Sequence, residues 1–160
     1  MKTVTNVLFA GIGGQGIIRA SDMLTEAAFR QNMDVKKSEL HGMSQRGGSV
    51  SSEVRYGEKV FSPMIPHGEA DYLVVLDETQ VEVNISKLKK DGILISPKDV
   101  PTDKLANPKA LNIMLLGALS AYLKDIELDA FLNALKMFLP EKLYAMNEEA
   151  FLLGRNSANK

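Results

Sequence analysis

From Asn6 to Ile18 the chain reads Asn-Val-Leu-Phe-Ala-Gly-Ile-Gly-Gly-Gln-Gly-Ile-Ile, a short apolar run that ends in glycines and passes at once into helical periodicity. That order fits a strand, a tight turn and a helix. The spacing Gly11-x-Gly13-x-x-Gly16 also satisfies the dinucleotide-binding pattern, in which glycines permit the turn, the approach of a phosphate and close helix packing. A helix that starts directly after a glycine turn presents unpaired N–H groups and the positive end of its dipole, so the expected guest is an anion. The same glycines would also serve a tight strand-to-helix turn that binds nothing.

The rest of the chain builds an α/β domain around this stretch. Ile17, Ala20, Met23, Leu24, Ala27 and Ala28 recur at helical spacing and predict a first helix reaching about residue 31. Residues 34–40 read as a second strand that completes a βαβ unit, and its polarity puts it near an edge. Residues 50–56 alternate as a strand, and residues 59–62 are expected to return as its hairpin partner. An antiparallel element thus stands where a dehydrogenase carries a helix. Pro63 and Pro66 mark an irregular crossing, and residues 70–77 are nearly continuously apolar, as the centre of a parallel sheet requires. Residues 81–90 fit both alternation and a helical face and are read as a crossover helix, with Asp91-Gly92 turning into a strand at 93–96. Asn107 and Pro108 predict an N-cap and first helical position, followed by a wide apolar face from Leu111 to Tyr122. Further helices are expected from Leu128 to Phe138, stopped by Pro140, and from Leu143 to Leu153 with Gly154 as C-terminal cap. The expected architecture is a Rossmann-like, mostly parallel sheet with an inserted antiparallel hairpin and C-terminal helices, forming one domain over residues 1–154 and a polar tail over 155–160.

Composition narrows the chemistry. With 19 basic and 20 acidic residues among 160, no global field draws the chain toward nucleic acid or a membrane surface. It contains no cysteine, so it supplies no thiolate to zinc or to an iron–sulfur cluster. His41 and His67 have no metal-binding spacing, and His67, between Pro66 and Gly68, is expected in a solvent-facing loop. No metal site is expected. A P-loop ending and a Gly-x-Ser-x-Gly elbow are both missing. The apolar patch near residues 111–123 is shorter than the roughly 20 residues that span a bilayer, and no signal-peptide pattern opens the chain, so a cytoplasmic location is expected. No residue stands out as catalytic.

Two further features bear on a site. Glu39 ends the second strand 23 residues after Gly16, near the offset of about 20 at which a dinucleotide fold places a carboxylate on ribose; an ordinary charged strand end fits equally. The segment Ser44-Gln45-Arg46-Gly47-Gly48-Ser49 sets a guanidinium and hydrogen-bonding groups in a loop whose glycines let a ligand or another chain approach. It could hold an anion, dock a subunit, or form a glycine-rich start to a hairpin with a solvated arginine.

Four segments, in order, resemble the gamma-type subunit of 2-oxoacid:ferredoxin oxidoreductases, in particular the form found in the indolepyruvate enzymes. They are Phe9-Ala-Gly-Ile-Gly-Gly-Gln-Gly-Ile17, Ser38-Glu-Leu-His-Gly-Met-Ser-Gln-Arg-Gly-Gly-Ser-Val50, Ser62-Pro-Met-Ile-Pro66 and Asn112-Ile-Met-Leu-Leu-Gly-Ala118. The resemblance implies a subunit of an enzyme that oxidatively decarboxylates a 2-oxoacid to an acyl-CoA, using thiamine diphosphate and passing electrons through iron–sulfur clusters to ferredoxin. Those cofactors are implied to sit in partner subunits, with none bound by this chain alone. Gly11, Gly13, Gly14, Gln15 and Gly16 would then line a coenzyme A cleft, with Ser44, Gln45, Arg46, Gly47 and Gly48 nearby or at a subunit contact. The His-Gly-Met-Ser-Gln-Arg form favours an aryl-pyruvate enzyme such as an indolepyruvate one. The family has a longer stretch than Pro97–Ala106 before the Asn107 helix. The rival readings are a free-standing NAD- or FAD-binding Rossmann module, to which Glu39 would belong, and a structural adaptor; a homodimer of the isolated chain also stays open.

Overall fold

A computed structural model describes residues 4–41 and 48–158. Strand β1 (Val4–Ile12) lies at the centre of a five-stranded sheet ordered β2-β3-β1-β4-β5, where β2 is Asp34–His41, β3 Ser49–Gly57, β4 Ala70–Val75 and β5 Leu88–Ile95. β4 and β5 run parallel to β1, whereas β3 runs antiparallel to both β1 and β2. Four of the five strands therefore share one direction. Helix α1 (Ile17–Arg30) carries the chain from β1 to β2 on the far side of β3, and its buried face contains the six apolar residues that the periodicity picks out.

The antiparallel insertion is real but differently built from the expectation. β3 pairs with β2 on one side, in the register Lys37↔Val54, and with β1 on the other, in the register Val7↔Val54. Residues 59–62 form no strand. Backbone and side-chain bonds explain why: the N–H of Val60 donates to Asp34 at 2.7 Å, and Arg55 donates to the carbonyls of Ser62 and Met64 at 3.0 and 3.1 Å. The segment is thus tied across the sheet instead of alongside β3. β2 is an edge strand, as its polarity indicates.

Helix α2 (Thr79–Asn84) and a 3-10 turn over Ile85–Lys87 replace the longer helix expected at 81–90. β5 begins at Leu88, and Asp91-Gly92 sits within it as an irregularity: β5 advances from Leu88 to Ile93 while β4 advances only from Ala70 to Tyr72. A Cβ on Gly92 would crowd the Ala70 carbonyl at 3.0 Å, so the Asp-Gly pair serves a bulge.

Three more helices complete the fold: α3 (Leu111–Ser120), α4 (Leu128–Phe138) and α5 (Tyr144–Ala158). With α1 they cover one face of the sheet and bury Phe9, Met23, Leu24, Met114, Leu115, Leu116, Phe131 and Phe151. Burying each such side chain contributes about 1.5–3 kcal/mol. Gly154 is an interior residue of α5 and not its cap, and α5 runs through residues 155–158, so these belong to a helix and not to a tail. A Cβ on Gly154 would strike the Met114 carbonyl, and one on Gly117 would strike that of Phe151. The two glycines let α3 and α5 meet backbone to backbone.

The opposite face is thinly covered. Leu8, Ala10, Leu73 and Val75 pack there against Ile65 and Val81, from the 58–69 segment and α2. Phe61, Met64 and Val83 of those same segments, and Ile85 of the adjoining 3-10 turn, are exposed.

Candidate functional site

The glycine stretch lies at the C-terminal end of β1, beside the end of β4, which is where parallel α/β sheets open a crevice. Gly14 and Gly16 have φ of +91° and +88°, the left-handed region that other residues resist. Gly16 is also the residue at the start of α1 and has no side chain with which to cap it; the first turn contains no acid, and among the described residues no side chain caps that helix. By contrast, Asn107 caps the turn that leads into α3, accepting from the Lys109 N–H at 2.9 Å. Among the described residues the α1 start is therefore an open set of N–H donors carrying about half a positive charge.

The loop is held from three directions. Gln15 folds back so that its Oε1 accepts from the Ile12 N–H at 2.7 Å, while its Nε2 donates to Asp77 at 3.2 Å. Asp77 in turn accepts from the N–H and hydroxyl of Thr79 at 3.0 and 2.6 Å. These bonds hold its carboxyl below the ordinary carboxylate range, the Thr79 hydroxyl contributing most. Gly13 donates to the Gly48 carbonyl at 3.0 Å, which fastens the start of β3 to the loop. Asn112 of α3 donates to the Gly16 carbonyl at 3.2 Å.

A cavity of about 1050 Å³ opens from this loop. Residues 12–19 form one wall, residues 107–113 a second, and Phe138, Leu139, Leu143 and Met146 an apolar end at the junction of α4 and α5. Arg19, Lys109 and His41 bring cationic or ionisable heads to it. The single lining carboxylate among the described residues, Asp22, is paired with Lys37 at 3.0 Å. Arg19 also donates to the Phe138 carbonyl at 3.1 Å and so covers the negative end of α4. The cleft favours a ligand with an anionic group at one end and an apolar or neutral body at the other.

Of the residues marked in the sequence, Gly13, Gly14, Gln15 and Gly16 line the cavity, and Gly11 sits behind them where a Cβ would meet Gln15 and Ile17. The Gln15 amide is engaged within the loop and shapes it. Ser44, Gln45, Arg46 and Gly47 lie outside the described residues, as do Gly42 and Met43. Glu39 does not line the cavity: it pairs on the edge strand with Lys37, whose ammonium also meets Asp22 of the cavity wall. A dinucleotide fold needs its second strand beside the first, and here β3 separates them. That arrangement removes the basis for Glu39 as a ribose ligand. His67 is exposed, as expected. Asp77, Asn112 and the α4–α5 wall are absent from the sequence reading of the site. Asp77 has a signal there, since it follows directly on the clearest buried strand; the wall has none.

The result is an α/β domain in which a glycine loop meets a cleft completed by the chain's own C-terminal helices. The model of the pyruvate ferredoxin/flavodoxin oxidoreductase family matches residues 6–157, and the chain belongs to that family. It is a gamma-type subunit of a 2-oxoacid:ferredoxin oxidoreductase. Indolepyruvate oxidoreductase subunit IorB of Methanothermobacter thermautotrophicus is 31% identical over 191 aligned positions, covering 96% of this chain and 97% of the relative. A chain of 160 residues fills at most 160 of those positions, so the alignment leaves it at least 31 residues short. The fold recurs in the keto/oxoacid ferredoxin oxidoreductase gamma subunit of Geobacter sulfurreducens, with a TM-score of 0.81 at 23% identity over 98% of this chain and 97% of that one. It recurs again in the 2-oxoglutarate:ferredoxin oxidoreductase of Magnetococcus marinus, solved with 2-oxoglutarate, coenzyme A and succinyl-CoA bound, with a TM-score of 0.84 at 22% identity. There it matches 99% of this chain but 31% of the other, so the same fold is one part of a longer polypeptide.

Proposed function

We propose that this chain forms the coenzyme A-facing wall of a thiamine-diphosphate-dependent 2-oxoacid:ferredoxin oxidoreductase and docks the subunits that carry its cofactors. The observation that carries the reading is the start of α1 at Gly16, capped by no side chain among the described residues and opening into the large cleft. Backbone amides and a helix dipole receive a phosphate there without a side chain. Lys109 and Arg19 add charge at the rim, and the apolar end at Phe138 and Leu143 offers a surface to the uncharged part of the coenzyme. Gly13 and Gly14 are exposed, with open space where a Cβ of Gly14 would stand, so nothing on the loop obstructs the approach. Arg46, with Ser44, Gln45, Gly47 and Gly48, is assigned to the rim of the same cleft or to a subunit contact.

This chain binds and orients; the redox chemistry belongs elsewhere in the complex. A chain without cysteine offers no thiolates to a cluster, and no group of three His, Asp or Glu side chains among the described residues is arranged to hold a metal ion. The iron–sulfur clusters are therefore assigned to partner subunits, which pass electrons to ferredoxin, and the reading places thiamine diphosphate there with them. The exposed Phe61, Met64, Val83 and Ile85 on the thinly covered sheet face support a docking role. A cytoplasmic location is part of this reading; among the described residues no helix is long and apolar enough to cross a membrane. An aryl-pyruvate such as indolepyruvate is the favoured substrate, on the form of the 41–46 segment.

Purification of the chain with its neighbours from the cell tests the reading. The expected result is a complex that reduces ferredoxin or a viologen dye with a 2-oxoacid and coenzyme A, faster with indolepyruvate than with pyruvate. A chain that copurifies with nothing, or a complex with no such activity, would overturn it.

A further inference from the structure

Asn112 is a buried polar residue, 7% exposed, in the first turn of α3, whose other residues up to Leu119 are apolar or glycine. Its amide has one orientation. Oδ1 accepts from the Ile113 N–H at 2.9 Å, which leaves Nδ2 to donate to the Gly16 carbonyl at 3.2 Å, across 96 residues of sequence. The same carbonyl accepts from the Ala20 N–H at 3.1 Å, the first rung of α1. Two donors thus hold one oxygen. Because the peptide is planar and trans, fixing the Gly16 C=O also fixes the Ile17 N–H in the opposite direction, out of the helix start. A Cβ on Gly16 would strike the Asn112 side chain, so the two residues are matched in size as well as in hydrogen bonding.

We infer that Asn112 is a positioning residue for the anion: it sets the Gly16–Ile17 peptide so that the first amides of α1 face the phosphate of coenzyme A. The inference rests on the coenzyme A reading above. It requires the donor, and not merely the volume, of the asparagine. Aspartate has nearly the same shape, but it would set an acceptor against the Gly16 carbonyl and a negative charge beside the anion.

The test uses the assembled complex carrying Asn112→Ala, Asn112→Asp or, in parallel, Gly14→Asp. The quantities measured are the apparent KM for coenzyme A, the KM for the 2-oxoacid, kcat and the thermal midpoint. The loss of one hydrogen bond that orients the site predicts an increase of about five- to tenfold in the coenzyme A KM for Asn112→Ala, a larger one for Asn112→Asp, and a 2-oxoacid KM close to wild type. A lowered thermal midpoint with a wild-type coenzyme A KM would overturn the inference, and so would failure of both Asn112 variants to assemble, since Asn112 would then serve folding alone. If Gly14→Asp raises the coenzyme A KM and the Asn112 variants do not, the positioning role fails while the coenzyme A reading stands. If none of the three changes that KM, the coenzyme A reading fails and takes the inference with it.

Discussion

Gly16 illustrates how one position answers to two constraints. Its φ of +88° disfavours any side chain, and Asn112 occupies the space where a Cβ would go. Gly16→Ala is expected to lower stability by about 1–3 kcal/mol, read as a reduced urea midpoint with an unchanged slope. Asp77 makes a second prediction at this scale. Its carboxyl is held below the ordinary value of 3.8, chiefly by the Thr79 hydroxyl and N–H and then by Gln15. The unfolded chain binds the proton more readily, so this contribution is present above pH 3.8 and is lost as pH falls through the lower folded value. Asp77→Asn should flatten the acid limb of the stability profile below about pH 4, while a profile identical to wild type would dissociate Asp77 from the loop. The glycines were legible in the sequence because their spacing is local. Asn112 was not, since its partner lies 96 residues away and nothing in the α3 segment signals which carbonyl it will meet.

Among the elements, the contact of α3 with α5 is the most demanding. Gly117 and Gly154 each oppose a backbone carbonyl of the other helix, and a carbonyl cannot rotate aside as a side chain does. Gly117→Ala or Gly154→Ala should force the helices apart and cost about 1–3 kcal/mol or more, seen as a lowered thermal midpoint; a midpoint within a degree of wild type would contradict the packing. The sequence pattern places Gly154 at a helix end because glycine is common there, but the same residue inside a helix serves close approach. Asp91-Gly92 misleads in the same way, since a turn signal also fits a bulge within β5. The six buried apolar residues of α1, the Asn107 cap and the α4 span were readable because each depends on periodicity or capping within a few residues. The pairing of β3 between β2 and β1 depends on contacts far apart in the chain, and residues 59–62 were drawn away from a hairpin by Asp34 and Arg55.

At the scale of the whole molecule, the sheet has one face covered by four helices and another covered by α2 and the 58–69 segment. If the thin face docks a partner subunit, replacing Phe61 and Met64 together by serine should reduce recovery of the complex severalfold while leaving the fold of the chain intact. Recovery equal to wild type would move the interface elsewhere. The resemblance to gamma-type subunits was legible from four short segments, and the family assignment follows from a match over residues 6–157. The cleft itself was legible only in part, because its second and third walls come from α3 and from the α4–α5 junction, which the glycine loop meets only in the folded chain.

The central claim is that the open start of α1 receives the phosphate of coenzyme A. Gly14 has open space where a side chain would stand, and aspartate tolerates its left-handed backbone better than most residues. A carboxylate there would repel an anion at the helix start. The most direct test is the apparent KM for coenzyme A of the assembled complex carrying Gly14→Asp. A tenfold or greater rise, with the 2-oxoacid KM near wild type, is the predicted result; an unchanged coenzyme A KM in a complex of normal stability would contradict the account.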